Sequence, residues 1–150
     1  MLAAMRNWVL NIMLLSLSAA AMASGLTVSK ITCDYRENPL LVASVQPRFG
    51  WELASGDQGA AQKAYQIVVS SGPATNGDCW NSGKVVSGQS QFITYEGSRI
   101  YPGKTYNWTV QVWDGQDQPS NIQSGEFTLA PSNEELSAAR WIGALSLIHI

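Results

Sequence analysis

Between Arg99 and Asp114 the chain reads R-I-Y-P-G-K-T-Y-N-W-T-V-Q-V-W-D, and no other stretch restricts the possible folds as strongly. Tyr106, Trp108, Val110 and Val112 alternate with Asn107, Thr109 and Gln111. Successive side chains of a strand point to opposite faces, so this stretch turns four large groups to one side and polar groups to the other. That is the signature of a half-buried strand, the centre of a β-sandwich. Pro102-Gly103 just before it is a turn signal, since proline presets φ and glycine accepts a positive one. Tyr106, first apolar residue after that turn, has the placement of a tyrosine corner, its ring in the core and its hydroxyl bonded to upstream backbone.

The remaining chain repeats this pattern in shorter pieces. Leu26 and Val28 begin a first strand, and the change of phase after Ser29 that brings Ile31 and Cys33 inward predicts a bulge. Arg36-Glu37-Asn38-Pro39 breaks the pattern. A second strand spans Arg48 to Leu53 with Phe49, Trp51 and Leu53 on one face, and Trp51 is the expected centre of the core. After the turn Gly56-Asp57-Gln58-Gly59, a third strand covers Ala64 to Ser70, with Tyr65, Ile67 and Val69 on one side. Trp80 to Val86 reads as a tight turn into a short edge strand, and Gln91 to Tyr95 as a strand returning across the sandwich. Gly115 to Pro119 is a hairpin loop before a last strand around Ser124 to Leu129. About seven short strands with a turn signal every 8 to 12 residues predict an all-β, immunoglobulin-like or fibronectin type III-like sandwich over residues 24–130. Ser132 and Glu135, in capping-box spacing, predict a single helical turn in a linker over 131–144.

Both ends differ from this middle. Met1 is followed by one positive charge at Arg6, an apolar run from Trp8 to Leu17 and small residues closing Ala21-Met22-Ala23. That is the layout of a secretory signal peptide over 1–23, so export to the periplasm or outside the cell is expected. The run is too short for a membrane span, which needs about 20 residues. Without Arg6, eight basic residues face eleven acidic ones, a net charge of about −3. No basic stripe exists to neutralise phosphates, so neither nucleic acid nor an anionic membrane is an expected partner. At the other end, Leu145 to Ile150 resembles one reading frame of a transposon end used in sequencing-library adapters. Residues 145–150 are therefore an expected artefact, and the gene an expected truncation; the alternative is a genuine terminal strand. The only histidine, His149, lies there.

Residues that could do chemistry are sparse. Glu52, Asp57, Asp78, Asp114 and Asp117 fall singly on strand exteriors and turns, whereas acid–base hydrolysis of a glycoside needs two carboxyl groups at a set separation. No catalytic set with His149 excluded, no metal site and no phosphate loop can be assembled, so neither a catalytic residue nor a cofactor is expected. Cys33 and Cys79 could form a disulfide in an exported chain, or Cys33 could be a buried thiol. Trp80 and Trp113 are candidates for stacking on a sugar ring, against the ordinary reading that they cover the ends of the sandwich. Tyr35, Arg36 and Asn38 combine an aromatic ring, a charge and a turn, as a docking loop does. Trp141 follows the last strand with nothing after it to bury the indole, which marks it as a fourth interface candidate.

Several segments in series carry a resemblance. They are Cys33 to Leu40, Pro47-Arg48-Phe49-Gly50-Trp51, Ala64-Tyr65-Gln66-Ile67, Trp80 to Val85, Tyr106 to Asp114 and Ala139-Arg140-Trp141-Ile142-Gly143. In this order they resemble the amino-terminal region of bacterial α-L-rhamnosidases of glycoside hydrolase family 78. The resemblance implies a fibronectin-like sandwich at the front of a longer exported enzyme that removes terminal rhamnose with inversion. It also implies that the downstream domains of the same polypeptide are the partners, and that rhamnose-containing glycans are met through the parent enzyme. Two other readings stay open: a carbohydrate-binding module in its own right, and a free-standing exported adhesion or scaffold domain.

Overall fold

The computed structural model describes residues 25–72 and 76–138 and arranges them as β1 (Leu26–Cys33), β2 (Arg48–Ser55), β3 (Gln62–Ser70), β4 (Trp80–Asn81), β5 (Val85–Val86), β6 (Ile93–Thr94), β7 (Thr105–Asp114), β8 (Gln123–Thr128) and α1 (Asn133–Ala138). The expected leader, Trp141 and His149 lie outside the described residues. One sheet has the order β1-β2-β6. The other has the order β4-β3-β7-β8, with β5 also paired to β3. All ladders between named strands are antiparallel.

The Tyr106 strand is central, as its alternation predicts. β7 lies between β3 and β8, and Tyr106, Trp108, Val110 and Val112 are buried while the residues between them are not. Tyr106 forms the expected corner, its hydroxyl accepting the Tyr101 amide at 2.9 Å. β1 carries the expected bulge, a register shift between Val28 and Lys30 that lets Ile31 and Cys33 join Leu26 and Val28 inside. Where one edge strand is expected near residue 84 there are two. β4 and β5, either side of the Gly83 turn at φ 62°, share the same edge of β3.

The two layers meet on aromatic rings. Trp51 is 1 % exposed and packs on Tyr65 at 5.2 Å, while its indole Nε1 donates to Gln62 Oε1 at 2.8 Å. Phe49, one pleat along the same strand, touches more rings: Trp108 at 4.5 Å, Phe127 at 5.9 Å and Trp80 at 6.2 Å. Phe49 rather than Trp51 is therefore the ring hub of the core. Asp114, expected on an exterior or turn, is buried, and its Oδ1 accepts the amides of Gln116 and Gln118 at 2.9 and 2.8 Å.

The chain's exit is tied to its first half. The Thr128 amide donates to Pro39 O at 3.0 Å, Val42 N to Thr128 O at 2.8 Å and Ala130 N to Val42 O at 2.8 Å, which makes a parallel bridge of Val42 and Leu129. α1 then starts with Leu136 N on Ser132 O at 3.0 Å, the single turn that the capping spacing predicts.

Candidate functional site

The loop after β1 is a two-residue reverse turn. Cys33 N donates to Arg36 O at 2.9 Å and Arg36 N to Cys33 O at 3.1 Å, with Asp34 and Tyr35 at φ 45° and 66°. Paired positive φ values are those of the turn that matches strand twist, although glycine or asparagine normally supplies them. Asp34 secures the turn by accepting the Arg48 amide on Oδ1 at 2.9 Å. The result turns Tyr35 outward, 65 % exposed. Its ring meets the edge of Phe92 at 5.8 Å, and Phe92 is itself 59 % exposed at φ 62°.

Of the docking-loop candidates, Arg36 is exposed and forms no ion pair among the described residues. Glu37, its obvious neighbour, is taken by Lys30 at 3.0 Å. Asn38 is exposed too, and its Oδ1 accepts the Glu126 amide at 3.0 Å, pinning the loop to β8. A Cβ at Gly125 would meet that same oxygen at 2.9 Å and Ile31 Cδ1 at 2.8 Å, so a larger residue there would push both side-chain ends aside.

Phe92 borders a cleft of about 410 Å³ that runs between the two sheets at their open edge. Trp80 on β4 lines the opposite side, near-parallel to Phe49 and edge-on to Tyr95 at 5.4 Å. Tyr65 reaches the cleft from β3, and burial, then the Glu96 carboxylate, push its phenol above the usual value. The loop wall is braced from within. Gln62 Nε2 donates to Ser87 O at 2.9 Å and Gln89 O at 2.8 Å, and Trp51 N donates to Ser90 O at 2.8 Å. Trp113 stands elsewhere, on the outer face of β7. The Lys84 ammonium covers its ring at 4.6 Å and also binds Asp117 at 2.9 Å, holding that carboxyl below the usual range with Lys63 beside it.

The end from which α1 leaves carries a different surface. Val42, Val45, Pro102, Leu129, Pro131 and Leu136 line a groove of about 400 Å³. Leu40, Leu41, Val45, Tyr101 and Leu136 are exposed at or beside it.

Among the described residues carboxylates come near one another in two places, and in one of them Glu37 and Glu52 share the Lys30 ammonium at 3.0 and 4.0 Å. Asp57 and Asp114 border the same hollow of about 420 Å³, but Asp114 Oδ1 is committed to its turn amides. Among the described residues no three His, Cys, Asp or Glu side chains gather as metal ligands. No helix among them is long and apolar enough to cross a membrane. Cys33 and Cys79 are free thiols; burial, then Asp34, push Cys33 far above its ordinary value.

Comparison with known proteins adds what this geometry lacks. The model described as "Rha78A-like, N-terminal immunoglobulin domain" matches residues 28–130. An α-L-rhamnosidase of Streptomyces avermitilis is 40% identical over 126 residues, covering 81% of this chain and 12% of its own length. One of Formosa agariphila is 33% identical over 125 residues, covering 79% and 13%. In three dimensions the chain is similar to the α-L-rhamnosidase structure from Dictyoglumus thermophilum, with a TM-score of 0.70 and 37% identity over 78% of this chain and 14% of that one. The S. avermitilis enzyme complexed with L-rhamnose gives a TM-score of 0.66 and 34% identity over 70% and 10%. The chain thus spans roughly an eighth of the length of the relatives it matches.

Proposed function

Because the chain belongs to the family of Rha78A-like, N-terminal immunoglobulin domains, we propose that it is the non-catalytic front domain of a longer exported α-L-rhamnosidase. In this reading it packs against the domains that follow and holds them in register. The observation that carries it is the family match to a region that makes up only 12–13% of the relatives' length. The apolar groove at the exit of the chain supports it, since a contiguous exposed apolar patch marks an interaction surface. Tyr35, Arg36 and Trp141 are further contact points for those domains; Asn38 shapes their loop. Residues 1–23 serve as the export leader, 131–144 as the linker, and rhamnose-bearing glycans are the parent's substrates.

The test is an activity assay on purified residues 24–143 with an aryl rhamnoside. No release above a mock-purified control is expected. Turnover abolished by replacing a single carboxylate, Asp57→Asn or Asp114→Asn, would overturn the accessory role.

A further inference from the structure

Two exposed aromatic residues, Tyr35 and Phe92, are held in the left-handed backbone region, where side chains beyond Cβ are costly, and their rings meet at 5.8 Å beside the open-edge cleft. Such strain persists where surrounding structure enforces it and concentrates at ligand-binding positions. We propose that the cleft between β4–β5 and the segment leading into β6 binds a neutral pyranose sugar, with Phe92 and Trp80 as its two aromatic walls.

The lining selects the ligand class. Its volume of about 410 Å³ lies in the usual range for small-ligand sites, about 300–1,000 Å³. None of its lining residues is a lysine or arginine, so a phosphorylated or sulfated ligand would find no counter-charge. Asn81, Gln89, Thr94 and Glu96 bring amide, hydroxyl and carboxylate groups to the same space as the rings, too polar a wall for a lipid chain. Among the described residues no side-chain hydrogen bond or ion pair occupies Thr94 or Glu96, leaving a hydroxyl and a carboxylate for a polyol. An added peptide strand fits less well. It needs a continuous edge, and β4 and β5 offer two residues each, broken at Gly83. Trp80 is backed by Phe49 and Tyr95, and the 87–90 wall by Gln62 and Trp51, so both sides are fixed before a ligand arrives. The inference stands on the cleft itself and does not depend on how the domain docks to its neighbours.

The test titrates the whole chain separately with L-rhamnose, D-glucose and D-galactose, following tryptophan emission and the amide shifts of residues 80–96. At least one sugar should give a saturable change confined to that region. Glu96→Gln and Phe92→Gly should each weaken it about tenfold. Glycine accepts φ 62° without strain, so Phe92→Gly should lose binding while unfolding at no lower temperature than the parent. No saturable change with any of the three sugars, undiminished binding in Phe92→Gly, or a clear fall in its unfolding temperature would each overturn the proposal.

Discussion

Phe49 and Trp51 occupy the same face of β2, both 1 % exposed, yet they hold different things together. Phe49 joins rings from β4, β7 and β8, whereas Trp51 joins Tyr65 and, through its N–H, Gln62. Since Gln62 in turn holds the carbonyls of Ser87 and Gln89, the Trp51 indole reaches the cleft wall at one remove. Trp51→Ala should therefore cost about 3–5 kcal/mol in urea unfolding, as truncation of a buried large aromatic does. It should also loosen the amides of residues 87–91 in hydrogen exchange. A change under about 1 kcal/mol would remove Trp51 from the core. The burial of both residues is legible in the alternation of β2, because period two fixes which side chains share a face. Which of them is the hub is not legible, since that depends on rings contributed by three distant strands. The conformations of Tyr35 and Phe92 are hidden for another reason: positive φ is announced in sequence by glycine, asparagine or aspartate, and an aromatic residue gives no such sign.

The elements divide by length. β3 and β7 run nine and ten residues, long enough for alternation to specify strand and face. β4, β5 and β6 have two residues each, and no period can be read over two positions. The cleft is built mostly from those short pieces and the loops between them, so Trp80 alone of its lining stands out in the sequence as a contact candidate. The corner before β7 is the opposite case, announced by Pro102-Gly103 and Tyr106. Its hydroxyl satisfies the Tyr101 amide, so Tyr106→Phe should cost about 1–2 kcal/mol, the lost bond plus a part-buried N–H without its acceptor. Thermal unfolding of the variant measures this. A midpoint indistinguishable from the parent would show that the corner is held by the ring alone, through its stacking on Phe127 at 5.5 Å.

For the whole molecule, the apolar groove lies beside α1, and Trp141 follows three residues after that helix in sequence. If following domains cover this end, the indole is shielded only in their presence. Burial of such a side chain is worth roughly 1.5–3 kcal/mol. Acrylamide quenching of Trp141, taken as the difference between parent and Trp141→Phe, should be stronger in residues 24–143 than in a chain carrying the following domains. Equal quenching in both would mean that Trp141 rests on its own sandwich, and the docking role of this end would fall. The pairing of Pro39–Val42 with Thr128–Ala130 gives the same end a mechanical character. The paired segments run parallel there, so tension drawn out through Ala130 acts along both of them and loads their hydrogen bonds together, in shear. If domains follow, a tug from them is shared between β8 and the segment ahead of β2, which three backbone hydrogen bonds join.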